Sequence, residues 1–177
     1  MAIRPFMNIH PTLGTNAYVD EMALAVGDVM LGDDTSLWPF VVARGDVQKI
    51  VIGARTNIQD GSVLHVTQDN QFNPGGFGLR IGNDVTVGHG VILHGCTIED
   101  RVLIGMGSII LDGAVVKENA MVAAGSLVSP GKVLDGGFLW LGRPAKKVRP
   151  LTDEELAYLE YSARHYVQVK NKHMGRA

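Results

Sequence analysis

A six-residue beat in the aliphatic side chains constrains this chain more than any other feature. Ile81, Val87 and Leu93 recur at intervals of six. That period suits neither an amphipathic helix, repeating near ~3.6 residues, nor a half-buried strand, repeating near ~2. The beat runs almost throughout: Val19, Ala25, Leu31, Leu37 and Ala43; Ile52, Ile58 and Leu64; Ile81, Val87 and Leu93; then Ile98, Ile104, Ile110, Val116, Val122 and Val128. Very short strands joined by tight corners, each returning the next aliphatic residue to the inside, give this pattern. Such self-similarity marks an all-β parallel β-helix of hexapeptide repeats, whose coils bury a core only by stacking. Small residues such as Ser36, Thr56, Ser62 and Ser108 before the aliphatic position, and glycines such as Gly53 and Gly88 after it, suit the corners.

Three interruptions turn the beat into a map. Three extra residues lie within Val47 to Val51, eleven lie within Asn70 to Arg80, and one is missing between Leu93 and Ile98. If three hexads close one coil, residues three hexads apart stack about 4.8 Å apart. Ala43, Leu64 and Leu93 then share a face, and Arg44, His65 and His94 follow them directly. Ile58 and Val87 belong to a different face, which carries Gln59, Asp60 and His89. Two stacked imidazoles can converge on one ion at roughly 2 Å. His89, one face away, has difficulty reaching that ion, whereas a neighbouring copy in a threefold ring can supply its own. Three neutral imidazoles with open positions describe a catalytic zinc site, because structural sites are closed by four protein ligands. The competing reading is three unrelated surface histidines.

Composition agrees with a coil of turns: 22 glycines against 6% aromatic residues in 177 residues suit it better than a helical bundle, and the length suits one domain. A net charge of -2 argues against nucleic-acid and polybasic membrane partners. The single cysteine, Cys96, excludes an intramolecular disulfide framework and fits a reducing compartment. With no signal-like leader and no long apolar run, the expected location is the cytoplasm, with no membrane span. The chain divides into an irregular lead-in over 1–18, coils over 19–133, a cap over 134–150 that includes Leu139 and Trp140, and a C-terminal helix over 151–172. Thr152 and Glu155 form a capping box, and Leu156, Leu159, Ala163, Tyr166 and Val167 share one side of that helix. His10 reads as a capping or packing residue, His165 and His173 as exposed helix residues, and Cys96 as a packed small side chain.

The segments LWPFVVARGDV, IGARTNIQDGSVLHV, IGNDVTVGHGVILHGCTI, GMGSIILDGAVV and LGRPAKKVR together resemble the gamma-class carbonic anhydrase family, over nearly the whole chain. The resemblance implies a left-handed coil, a homotrimer, and zinc, with iron or cobalt as alternatives, held by His65, His89 and His94 between subunits. It implies that Gln59 hydrogen-bonds the water to be activated, that Arg44 pairs with Asp60 across the interface while Asp46 steadies the arginine, and that Tyr166 points toward the metal, with ordinary packing as its alternative. The implied reaction is hydration of CO2 to bicarbonate. The chain departs from the family pattern in having Val47 after Asp46, only Asp69 in the inserted loop, and Ser162 where asparagine is frequent. Two other functions stay open: hexapeptide acyl transfer with a histidine as general base, and a non-catalytic metal or siderophore scaffold, since some relatives are named as ferripyochelin-binding proteins.

Overall fold

A computed structural model describes residues 2–176. The chain winds into a three-faced parallel β-solenoid closed by one helix. One face stacks Tyr18–Val19, Ser36–Leu37, Asn57–Ile58, Thr86–Val87, Leu103–Ile104, Met121–Val122 and Phe138–Leu141 in parallel, and ends on the antiparallel strand Lys146–Pro150. The other two faces share the long strands Leu24–Leu31 and Val42–Ile52, each of which turns a corner and pairs on both sides of it. Val63–His65, Ile92–His94, Ile109–Ile110 and Leu127–Val128 continue the second face. Leu79–Ile81, Thr97–Ile98, Val115–Val116 and Val133–Leu134 continue the third.

The aliphatic beat is the inside of this prism. Ala43 pairs with Leu64 and Leu64 with Leu93; Ile58 pairs with Val87 and Val87 with Ile104; Ile81 pairs with Ile98 and Ile98 with Val116. These side chains are at most 3% exposed, and each buried Ile, Leu or Val contributes about 1.5–3 kcal/mol relative to remaining in water. The beat runs on past Val128 to Leu134 and Trp140, both buried, so Trp140 is the last rung of the core as well as its cover. Residues 2–18 are also less irregular than their sequence suggests. Ile3–Arg4 and Thr12–Leu13 pair in parallel with Leu24–Leu31, and so edge the first coil.

The helix Asp153–His173 starts in the expected capping box, with Thr152 and Glu155 each accepting from the other's backbone. It lies against the face holding Ser36–Leu37, Asn57–Ile58 and Thr86–Val87. Leu159 and Ala163 are buried as the stripe requires, and Leu156, Tyr166 and Val167 are half-buried. Two polar residues share that face: the Ser162 hydroxyl lies 2.9 Å from that of Thr86, and Lys170, fully buried, reaches Asp34 at 2.8 Å. Trp38 packs edge-on against both Tyr166 and His173, tying the helix to the early coils. Among the described residues no helix is long and apolar enough to cross a membrane.

Candidate functional site

The registers of the solenoid bring His65 and His94 side by side, since they are direct partners across adjacent strands. Their rings face each other, with His65 Nδ1 3.1 Å from His94 Nε2. The outer nitrogen of each ring is engaged by a carboxylate: His65 Nε2 lies 3.1 Å from Asp46, and His94 Nδ1 lies 2.7 Å from Asp112. A carboxylate accepts a proton-bearing nitrogen, so each contact fixes the tautomer and leaves the inner nitrogen with its lone pair. Burial lowers the pKa of His65 and outweighs the opposing contribution of Asp46, which favours the neutral ring. At 3.1 Å the two inner nitrogens can share a proton in an N–H···N hydrogen bond or, with each outer nitrogen donating to its carboxylate, present both lone pairs to a cation.

Asp46 is brought over His65 by the first interruption. Register with the preceding coil passes from Gly27 opposite Gly45 to Val29 opposite Ile50, so the extra residues bulge out around Asp46. Arg44 Nη1 donates to the second Asp46 oxygen at 2.5 Å. Burial opposes ionisation of Asp46, yet the hydrogen bonds from Arg44 and His65 prevail and hold its carboxyl below the usual range.

On the next face His89 Nδ1 lies 2.9 Å from Asp60, leaving His89 Nε2 free, and both side chains are about half exposed, at 49% and 47%. Behind them a cleft of about 280 Å³ opens between the solenoid and the helix, lined by Gln59, His89, Ser162 and Tyr166 among others. Gln59 is buried and its Nε2 donates to Asn57 at 3.1 Å, which leaves the amide oxygen as a free acceptor. Asn57 donates in turn to Thr86, which meets Ser162 on the helix. Burial raises the pKa of Tyr166, and the charge of Asp60 adds to the effect.

The expected residues therefore form two groups. Arg44, Asp46, His65 and His94 make one continuous set of contacts; Gln59, Asp60, His89 and Tyr166 gather around the cleft. Among the described residues of one chain, no three His, Cys, Asp or Glu side chains converge on a point. Arg44 pairs with Asp46 here, and Asp60 pairs with His89. Asp69 accepts a hydrogen bond from the Gly75 backbone within its own loop. Sequence reasoning missed Asp112, whose only signal was its position eighteen residues after His94, one coil further on.

The donor set suits a divalent ion such as zinc. Two imidazole ligands about 2.0–2.1 Å from a tetrahedral ion sit roughly 3.3 Å apart, close to the 3.1 Å between His65 Nδ1 and His94 Nε2. Imidazoles backed by carboxylates are the ordinary surroundings of such an ion.

Residues 95–130 match the family described as Bacterial transferase hexapeptide (six repeats). The chain is 57% identical to Protein YrdA of Escherichia coli, over 97% of this chain and 94% of that one. It is 45% identical to the carbonic anhydrase of Geobacillus kaustophilus, over 94% and 87% of the two chains. Identity to Gamma carbonic anhydrase 2, mitochondrial, of Arabidopsis thaliana is 43%, over 96% of this chain and 62% of that one. A solved hexapeptide transferase family protein from Anaplasma phagocytophilum superposes with a TM-score of 0.89 at 42% identity, over 97% of each chain. This chain belongs to the gamma carbonic anhydrase family of hexapeptide-repeat proteins.

Proposed function

We propose that the protein is a gamma-type carbonic anhydrase that hydrates CO2 to bicarbonate at metal sites shared between the subunits of a homotrimer. The observation that carries this reading is the pair of inward-facing ring nitrogens of His65 and His94, each ring backed by a carboxylate, Asp46 and Asp112. His89 of a neighbouring copy completes the ligand set through its free Nε2. Zinc is the favoured ion, with iron or cobalt as alternatives. When bound there, it supplies the Lewis acidity that makes water a nucleophile near neutral pH.

The second copy has a surface to sit on. Val42, Val63, Ile92, Ile109 and Leu127 are partners in successive strands and point outward beside His65 and His94. Val63 and Ile92 are 39% and 38% exposed in the single chain. An aliphatic ladder of this kind, rimmed by Arg44 and the histidines, supports an interface between copies. The proposed assembly would pair Arg44, already on Asp46, with Asp60 of the neighbour, and a guanidinium is suited to bridge two carboxylates.

Within the cleft, the Gln59 amide oxygen accepts a hydrogen bond from the reacting water and so fixes the direction of its lone pair. Asn57, Thr86 and Ser162 hold Gln59 in that pose through successive hydrogen bonds. Tyr166 bounds the same space, and burial raises its pKa further above the ordinary tyrosine value.

A second reading, acyl transfer, is favoured by one observation: the open His89–Asp60 pair has the form of a general base and its orienting carboxylate. Metal content, CO2 hydration and acyl-CoA binding separate the two. The direct test of the shared site is complementation. Neither His65→Ala nor His89→Ala protein should hold stoichiometric zinc or hydrate CO2, whereas co-expressed chains reassemble intact sites at about a quarter of interfaces in randomly mixed trimers. Recovery of none would overturn the shared site. Zinc without hydration would leave a binding scaffold in its place.

A further inference from the structure

We propose that Asp112 is the positioning residue for His94, and that Thr67 ties it to the base of the loop beside the site. The inference rests on the metal reading above and assigns a residue which that reading does not require. Asp112 lies in a corner one coil beyond His94, and its two oxygens have different tasks. Oδ1 accepts from His94 Nδ1 at 2.7 Å, and Oδ2 accepts from the Thr67 hydroxyl at 2.8 Å.

Thr67 is where the inserted loop leaves the solenoid. It exchanges two backbone hydrogen bonds with Phe77, each 2.9 Å long, and so pinches the loop shut at its base. The side chain of Phe77 returns over the corner glycines Gly95 and Gly113. One carboxylate therefore grips a histidine ring with one oxygen and the root of a loop with the other.

The backbone leaves room for this arrangement at one specific point. Gly95, the residue after His94, has φ +54°, and a Cβ placed there would lie 2.3 Å from Asp112 Oδ1 and 2.7 Å from Phe77 Cβ. Any side chain at 95 would push the carboxylate away from the ring. Gly82 stands in the same relation to Asp100, at 2.3 Å, so a glycine under a corner aspartate is a device of this solenoid, which at Gly95 leaves room for the Asp112–His94 contact.

Without Asp112, His94 would lose the acceptor that keeps its proton on Nδ1 and its Nε2 lone pair toward His65. Outer carboxylates of this kind typically change metal affinity by roughly 10- to 100-fold. Asp112 itself is half-buried at a turn, so its removal leaves the aliphatic core intact.

The test uses the full-length oligomer, stripped of metal, with zinc affinity measured by competition against a chromophoric chelator. The visible spectrum of the cobalt-loaded protein is recorded beside it. Asp112→Ala should bind zinc roughly 10- to 100-fold more weakly and alter the cobalt spectrum. Asp112→Asn, which keeps an acceptor in place, should lose less, and Thr67→Val should weaken binding in the same direction but to a smaller extent. Wild-type affinity and an unchanged spectrum in Asp112→Ala would overturn the proposal, even if its melting temperature fell. A wild-type protein that takes up no zinc would overturn the metal reading itself, and the role of Asp112 with it.

Discussion

The two histidine-bearing edges of the prism are built to opposite standards. His65 and His94 sit on paired strands, 19% and 32% exposed, each ring pinned from outside by a carboxylate. His89 stands at an open corner, with a single carboxylate beside it that is as exposed as itself. The first edge is pre-organised within one chain, and that order is inherited from strand register. The second is left loose where another copy would settle it. Under the proposed function, a site divided in this way would couple binding of the ion to assembly, because only an oligomer would hold all three rings.

Substituting the interface while sparing every histidine would separate the two edges most sharply. Ile92 points outward from the strand that carries His94 and is 38% exposed in the single chain. Ile92→Asp should therefore leave the coils folded, reduce the species in solution to the 19.0 kDa chain, and abolish stoichiometric zinc. Mass determination with metal analysis reads both. A monomer that kept its zinc would show that the His65 and His94 edge suffices alone, and the comparison would fail.

A smaller effect is expected within the cleft. Gln59→Ala removes an amide that orients without holding the ion, so kcat should fall roughly 10- to 100-fold. Zinc content should not change. Loss of zinc in this variant would move Gln59 from the cleft to the ligand set.

Much of this division was legible in the sequence. The six-residue beat places the inward side chains, and the register between Leu64 and Leu93 sets His65 against His94, as the strand pairing shows. Periodicity works here because every coil repeats the same backbone path. It is silent where the path is irregular or the residue type misleads. Ile3–Arg4 and Thr12–Leu13 edge the first coil, and although Leu13 pairs with Leu31 and lies six residues before Val19, it is exposed, so no buried residue marks the period there. Trp140 falls on the beat yet reads as a cover, because it is far larger than the residues below it. Asp112 sits in the corner LDG, which reads as an ordinary turn until the fold puts it under His94. Lys170 is the sharpest failure, since a charged side chain does not announce itself as core.

Lys170 also carries the next prediction. It lies one helical turn beyond Tyr166, and its buried ammonium, paired with the half-buried Asp34 and Asn171, anchors the helix that walls the His89 side. Asp34→Ala leaves that charge without its carboxylate. For a buried pair the loss is about 3–5 kcal/mol, and the partial exposure of Asp34 brings the expectation to about 2–3 kcal/mol of unfolding free energy. Lys170→Met keeps the apolar stem and removes the charge, and should be nearly neutral. Urea unfolding of both variants measures the difference. Equal destabilisation by the two would mean that packing of the stem, and not the ion pair, holds the helix.

The smallest effect lies at the far end of the same helix and tests whether acid loosens its start. Glu155 accepts hydrogen bonds from Arg149 and from the Thr152 backbone, and these pull its carboxyl down to about 2 from 4.5. A depressed carboxylate stabilises the folded form fully above its ordinary value and loses that contribution as pH falls toward the lowered one. Glu155→Gln should therefore melt below the wild type at neutral pH, with the gap narrowing as pH falls through 4.5 and closing near 2. The melting temperature of the metal-free protein across that range reads the gap. His65 and His94 lie on a different face from this helix, so their zinc affinity at neutral pH should not respond to the substitution. If it does respond, the two edges are coupled through the helix, and the loose side of the site helps to order the firm one.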